Sequence, residues 1–159
     1  MRLLFKHNLL SPFFGYKIYN QDKEIVYIVK RKFSFGHLLK IYDKDNNELG
    51  TVKGDAFSLT PEFSLYVKEN WVGSVTKDVS FFKPRFIVDL KGWQLNGDIF
   101  EWEYEIRTRD KKPIAYLSKA MGLTSTYAMT VCNNDDALLV LMLVLAIDCE
   151  KSTRASFHT

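Results

Sequence analysis

The chain has 159 residues, 47% of them hydrophobic and 26% charged, with a formal net charge of +3 at pH 7. This length and composition are typical of one globular domain and exclude a disordered or low-complexity protein. The positive excess is too small to indicate a nucleic-acid-binding domain, for which a strongly basic face is expected.

From residue 1 to about residue 132 the sequence predicts short strands separated by polar turns. Segments rich in Asn, Asp, Gly and Pro punctuate this region, and we count about twelve strands between them. A strand with one solvated face shows strict alternation of apolar and polar side chains. That alternation is found in residues 63–67, 86–90, 100–107 and 127–131.

A hairpin pattern recurs through the same region. An aliphatic residue is followed by an acidic turn and by a second aliphatic segment that leads to a lysine; these lysines are Lys30, Lys53, Lys77 and Lys119. The repeats are unevenly spaced, which argues against a solenoid and favours serial hairpins in one closed sheet. We expect the lysines to form an outward-facing rim, because exposed charges resist edge-to-edge pairing.

A run of eleven apolar residues, 137–147, follows Asn133, Asp135 and Asp136. Asn is a good N-cap and acids suit the first turn, so we predict a helix over about residues 134–149. A membrane span needs about 20 apolar residues, so we expect no transmembrane span. A helix that is apolar on every face must be buried on every face.

The strands must therefore surround this helix. We predict a mainly β fold: a twelve-stranded closed antiparallel barrel that encloses a central hydrophobic C-terminal helix. Residues 1–151 would form this single domain, and residues 152–159 a frayed tail.

The residue types that catalysis and metal binding require are scarce. His7, His37 and His158 are not at metal-ligand spacing, and no nucleotide-binding or nucleophile motif occurs. The acids Glu101, Glu103 and Glu105 alternate with apolar residues, so we interpret them as a solvated strand face rather than as catalytic carboxylates. We expect no enzyme activity, no metal and no cofactor.

The two cysteines, Cys132 and Cys149, lie in apolar sequence surroundings. We predict that both are buried free thiols in a reducing cytoplasm. The N-terminus lacks the long apolar run of a signal peptide. We therefore expect a cytoplasmic protein that is peripheral to the membrane if it contacts one.

Basic residues supply the candidate ligand site, because phosphate recognition needs convergent Arg or Lys side chains. The residues chosen for it are Lys30, Arg31, Lys32, Lys83 and Arg85. The alternative is that these are dispersed solubilising charges.

Two aromatic segments, 33–35 and 81–82, have two interpretations. They are either exposed tips that contact a membrane or plugs of the core. Core plugs are favoured, because large aromatic side chains are usually well buried.

Several segments resemble the LURP-one-related family over nearly the whole chain. These are residues 93–100, residues 104–106, residues 114–119, and the ending 127–148, a strand followed by an acidic cap and an apolar helix. The resemblance implies a tubby-like fold, a twelve-stranded barrel around a central helix, and kinship with the tubby C-terminal domain and phospholipid scramblases. Tubby domains bind phosphoinositide headgroups through basic residues on the barrel wall. The cysteine clusters and calcium-binding segments of scramblases are missing here.

Two functional hypotheses follow. The first is a non-catalytic binding module for an anionic phospholipid headgroup or another phosphorylated ligand at the cytoplasmic face of the membrane. The second is a protein-interaction scaffold that uses a sheet face or a loop such as Phe81-Phe82.

Overall fold

The structure, a computed structural model, describes residues 1–6, 16–32, 34–55, 60, 62–78, 85–122 and 126–157. These residues form twelve strands and a C-terminal helix. The strands are β1 (Arg2–Lys6), β2 (Tyr16–Tyr19), β3 (Ile25–Lys32), β4 (Gly36–Tyr42), β5 (Glu48–Asp55), β6 (Glu62–Val67), β7 (Asn70–Asp78), β8 (Arg85–Asp89), β9 (Gln94–Asp98), β10 (Glu103–Arg107), β11 (Pro113–Lys119) and β12 (Thr126–Val131). A 3-10 turn at Asn134–Asp136 leads into helix α1 (Ala137–Phe157).

All twelve strands belong to one antiparallel sheet. Their spatial order is β8-β7-β6-β5-β4-β3-β2-β1-β12-β11-β10-β9, so most neighbours in sequence are also neighbours in the sheet. β8 and β9 stand at the two ends of this order, and no ladder between described residues joins them. The predicted fold class is confirmed as a nearly closed barrel with one seam.

Helix α1 lies inside the barrel, as predicted. Its residues from Val140 to Ile147 are at most 1% exposed. Because every face of this stretch is apolar, the barrel covers it on all sides. Gly50, on the inner face of β5, leaves room for the helix, because a Cβ atom there would lie 3.0 Å from Met142 Sδ. The Asn133 side chain accepts a hydrogen bond from the Asp135 N–H at 3.1 Å, which is the predicted N-cap.

The helix continues to Phe157. It therefore extends six residues into the segment 152–159, where we expected a frayed tail.

The direction of α1 defines two ends of the barrel. At the turn end, α1 begins and the β2–β3, β4–β5, β6–β7 and β10–β11 connections lie. At the loop end, the β3–β4, β9–β10 and β11–β12 connections lie.

Two large apolar side chains project from the loop end. Phe35 is 92% exposed and Met121 is 97% exposed. The preference for a core plug is therefore wrong for Phe35; Phe33, Phe81 and Phe82 lie outside the described residues.

The strand predicted over residues 100–107 is wrong in its first three residues, since β10 begins only at Glu103. The Asp98 side chain accepts the Glu101 N–H at 3.1 Å and turns the chain before β10. Trp102 adopts a positive φ of 60°, and its ring packs 4.5 Å from the ring of Tyr127, centroid to centroid. The buried Trp102 ring thus covers the core at the loop end.

Candidate functional site

Five lysines lie on the outer face of β2 to β5; we call this surface the lysine wall. Alternation along each strand places them there, because their sequence neighbours Ile18, Val29, Ile41 and Val52 are fully buried inside the barrel. The members of the wall are Lys17, Lys30, Lys32, Lys40 and Lys53.

Lys30 and Lys40 stand directly opposite each other on β3 and β4. Like charges in that position repel, so each ammonium needs its own partner. Lys30 Nζ donates to Asn46 Oδ1 at 2.9 Å and lies 4.6 Å from the centroid of the Tyr42 ring. Lys40 forms an ion pair with Glu48. These partners hold the two ammonium groups on the same wall.

Lys32 and Lys53 flank Leu38 on the outer face, one on each neighbouring strand. Two strand spacings place their backbones about 10 Å apart. Both lysines are exposed, and neither forms a hydrogen bond or ion pair within the part of the chain that the structure describes. The outer face of β2 to β5 carries five lysines against two acids, Glu48 and Asp55, an excess of three positive charges.

The structure separates the residues chosen from the sequence. Lys30 and Lys32 share the wall, but Arg31 lies on the inner face, opposite the buried Leu39. Arg85 begins β8, with β4 to β7 between it and β3. Its Nε lies 3.6 Å from Asp78 Oδ2. Lys83 lies outside the described residues.

Sequence reasoning missed Lys17 and Lys40, and it did not join Lys53 to the group on β3. A usable signal existed, because each of these lysines is next to a strand residue that faces inward. The strand order, which brings β2 to β5 together, was not readable from the sequence.

A second polar group lies inside the barrel near the loop end; we call it the inner cluster. Lys77 is only 2% exposed, and its Nζ lies 2.6 Å from Glu150 Oε1 on α1. The prediction that Lys77 faces outward is therefore wrong. It shares a strand face with Gly73 and Val75, which are buried against the core. The inner cluster consists of the buried Lys77, Cys149 and Glu150, the half-buried His37, and Arg31, which shares their inner face but is exposed.

Burial lowers the pKa of His37, and the nearby Arg31 lowers it further, while Glu150 opposes both effects. Burial also raises the pKa of Cys149 to about 12. This thiol is therefore protonated near neutral pH, which does not suit a nucleophile.

The prediction that both cysteines are buried is confirmed for Cys149 and is wrong for Cys132, which is exposed just after β12.

A groove of about 690 Å³ lies at the turn end, between the β2–β3 and β4–β5 turns. Its charged lining residues are Lys23, Glu24, Asp43, Lys44 and Asp45, so acids outnumber bases. Hydrogen bonds from Asn47 and the Asp45 N–H lower the pKa of Asp43, whose carboxylate is engaged in its own turn. This groove does not suit a phosphate group.

Metal binding and membrane crossing each require a particular arrangement of residues. Among the described residues, no group of three or more His, Cys, Asp and Glu side chains is placed to hold a metal ion. Within the same residues, no helix combines the length and hydropathy that crossing a bilayer requires.

The fold and the wall together define a small β-barrel with an enclosed C-terminal helix and a basic outer face. The LURP-one-related family model matches residues 1–148. The chain therefore belongs to the LURP-one-related family, as the sequence resemblance indicated.

Two further similarities agree with this assignment. An uncharacterised protein, YxjI of Bacillus subtilis (strain 168), is 24% identical over 149 residues, which cover 93% of this chain and 92% of that protein. An X-ray structure of an Arabidopsis thaliana protein superposes with a TM-score of 0.62 at 11% identity, covering 92% of this chain and 90% of the other. At that identity the second similarity shows the fold alone.

Proposed function

We propose that this protein is a non-catalytic binding module that holds phosphate-bearing anions, such as phospholipid headgroups, on the lysine wall at the cytoplasmic face of a membrane. The observation that carries this is the pair Lys32 and Lys53, exposed and without an ion-pair partner in the described chain. Their backbones lie about 10 Å apart, two strand spacings, on one face. Two flexible lysine side chains that start at this spacing can contact one anion that has more than one phosphate group.

The surrounding residues support the same assignment. Lys30 and Lys40 are kept on the wall by Asn46, Tyr42 and Glu48, although their mutual repulsion favours their separation. The wall holds an excess of three positive charges, as large as the formal net charge of the whole chain. The remainder of the chain is therefore neutral in sum, and the charge excess of the wall can attract an anion.

Vesicle co-sedimentation tests this function. Wild-type protein is mixed with neutral phosphatidylcholine vesicles and with vesicles that contain 30% anionic lipid, a fraction of roughly physiological charge density. We expect binding to the anionic vesicles only, and weaker binding as salt screens the charges. Equal binding to both vesicle types, or binding to neither together with no affinity for inositol hexakisphosphate, would exclude the proposed function.

A charge-matched pair of variants locates the site. Lys32→Gln/Lys53→Gln removes two charges from the wall, whereas Lys44→Gln/Lys112→Gln removes two exposed charges from the turn end. Each lysine near an anionic surface contributes about 1 kcal/mol, so the wall variant should bind about tenfold or more weakly. The turn-end variant should bind as the wild type does. Equal losses in both variants would mean that only net charge matters.

A second candidate function, a protein-interaction scaffold, has one observation in its favour. β8 stands at an edge of the sheet and carries Ile87 exposed on its outer face, and an edge strand can pair with an added strand. Capture of a partner that survives high salt and is lost in Ile87→Lys would favour it over anion binding.

A further inference from the structure

Asn96 is the only asparagine of the chain that is followed by glycine. The side-chain amide of asparagine is thermolabile. Its loss begins when the backbone nitrogen of the next residue attacks the amide carbon, and a glycine has no Cβ atom to hinder that attack. Asn96-Gly97 is therefore the most reactive asparagine pair that the sequence contains.

This pair lies in β9, the strand at one end of the sheet order. β9 pairs with β10 on one side, and within the described residues no ladder joins its other side. Four of the five residues of β9 are exposed, and Asn96 and Gly97 are among them. An edge strand with such exposure opens readily, because few contacts must break. Water and base therefore have access to both residues.

The backbone nitrogen of Gly97 faces the open side of β9. A Cβ atom built on Gly97 would lie 2.8 Å from Tyr104 Cα, its partner on β10, so the two backbones approach each other closely at this pair. Such a close approach is typical of a non-hydrogen-bonded pair, whose residues direct their N–H and C=O groups away from each other. The nitrogen that must react is thus directed away from the β9–β10 ladder.

The fold also requires glycine at this position. Gly97 has a φ of +122°, which side chains other than hydrogen rarely allow. A Cβ atom there would lie 2.6 Å from the Glu103 carbonyl oxygen, a backbone atom that cannot move away on its own. The reactive pair is therefore built into the strand.

We propose that Asn96 is a site of spontaneous deamidation. The Gly97 nitrogen gives its proton to base and attacks Asn96 Cγ. A C–N bond forms and closes a succinimide ring, the Cγ–Nδ2 bond breaks, and the amide nitrogen takes up a proton and leaves as ammonia. Water then adds to one ring carbonyl and breaks the bond from that carbon to the Gly97 nitrogen. Opening at Cγ gives aspartate, and opening at the backbone carbonyl gives isoaspartate.

The reaction consumes one water and releases one ammonia, and nothing is oxidised or reduced. It does not depend on the proposed function, because β9 carries no part of the lysine wall.

The new carboxylate lies against an existing one. Asn96 stands directly opposite Glu105, and its Nδ2 donates to Glu105 Oε1 at 3.2 Å. Deamidation replaces this donor by a negative charge, and like charges opposite each other destabilise a strand pair. Arg107 Nη1, 3.3 Å from the same Oε1, offsets part of the added charge. Isoaspartate also adds a carbon atom to the main chain, which shifts the following residues out of register. Deamidation therefore loosens β9 from β10.

Mass spectrometry of the folded protein tests the site. After incubation in mildly alkaline buffer, tryptic cleavage at Lys91 and Arg107 gives the peptide 92–107, in which Asn96 is the only asparagine. We expect this peptide to gain one dalton with time, to separate into aspartate and isoaspartate forms, and to carry the change at residue 96 on fragmentation. Asn96→Gln is the matched control, because its longer side chain closes a ring much more slowly, and its peptide should keep its mass.

The other asparagines of the same digest are internal controls, since larger residues follow them. Equal mass gains at those asparagines would overturn the proposal. So would a peptide 92–107 that keeps its mass in the folded protein, whether or not it changes in urea, because the strand then protects Asn96.

Thermal denaturation of Asn96→Asp, which carries the charge of the aspartate product, tests the loosening. Its Tm should be lower than that of the wild type, and Asn96→Asp/Glu105→Gln should recover most of the loss relative to Glu105→Gln alone. Asn70→Asp adds the same charge opposite Val67 and should leave Tm unchanged. Equal Tm values for Asn96→Asp and Asn70→Asp would show that the contact with Glu105 does not loosen β9.

Discussion

Lys53 and Lys77 occupy similar places in two hairpins, but one lies outside the barrel and the other inside. Each lies near the end of the second strand of a hairpin, after an aliphatic segment. Lys53 follows the inward-facing Val52 directly and is exposed, whereas Lys77 comes two residues after the inward-facing Val75 and is buried against Glu150. One residue of register therefore separates an outward-facing charge from a buried one.

The largest effect is expected when the inner lysine loses its charge. Lys77→Met leaves Glu150 as a buried carboxylate without its ammonium partner, and removal of one partner of a buried ion pair costs about 3–5 kcal/mol. Urea denaturation should show this decrease in the free energy of unfolding. Lys53→Met, the matched outer variant, should stay within about 0.5 kcal/mol of the wild type. Equal decreases in the two variants would remove the distinction between the lysines.

A smaller effect is expected when both partners are replaced. The variant Lys77→Met/Glu150→Met removes both buried charges and keeps similar volume, so it should recover at least about 2 kcal/mol relative to Lys77→Met. The same denaturation experiment measures this recovery, with Glu150→Met alone as the control. Additive losses in the double variant would show that the two side chains do not act as a pair.

An ion pair outside the barrel should contribute less than the one inside. Lys91 Nζ lies 3.0 Å from Asp136 Oδ1 at the start of α1, and the Lys91 side chain is 53% exposed. Exposed pairs contribute about 0.2–1 kcal/mol, so Lys91→Gln should lower stability by no more than that. The decrease should shrink in 1 M NaCl, because salt screens exposed charges. A loss as large as that of Lys77→Met would contradict this ranking.

The smallest expected effect is a pH dependence from His37. Burial lowers the pKa of its imidazole below the ordinary value of 6.5, so the unfolded chain takes up a proton more readily than the folded one. The contribution of the neutral imidazole to stability is therefore fully present above pH 6.5, and it is lost as pH falls from that value through the lower pKa of the folded state. Wild-type Tm should therefore decrease from pH 7.5 to pH 5.5 by more than the Tm of His37→Gln. The same decrease in both proteins would show that other groups cause it.

Much of the fold was predictable because its strongest signals are local. Alternation in segments such as 63–67 predicted strands, and Asn133 with two following acids predicted the start of the helix. Residues 100–102 were misassigned because their apolar and acidic residues also alternate within a turn. There the Asp98 side chain and the positive φ of Trp102 override the strand pattern.

The candidate site was predictable only in part. The cluster Lys30-Arg31-Lys32 was visible in the sequence, but a strand sends consecutive side chains to opposite faces, so Arg31 could not share the surface of its neighbours. Lys40 and Lys53 join that surface through ladders between β3, β4 and β5. Lys40 lies ten positions from its partner Lys30, and Lys53 lies fifteen positions from its partner Leu38. No local pattern encodes these pairings.

The sequence alone determined that a barrel must enclose the C-terminal helix, because a run of eleven apolar residues has no face that can remain in water. Only the tertiary structure decided which lysine meets solvent, which meets Glu150, and that Phe35 and Met121 project from the rim. Those outcomes depend on strand register and turn geometry, which are settled when distant segments pair and the barrel forms around its helix.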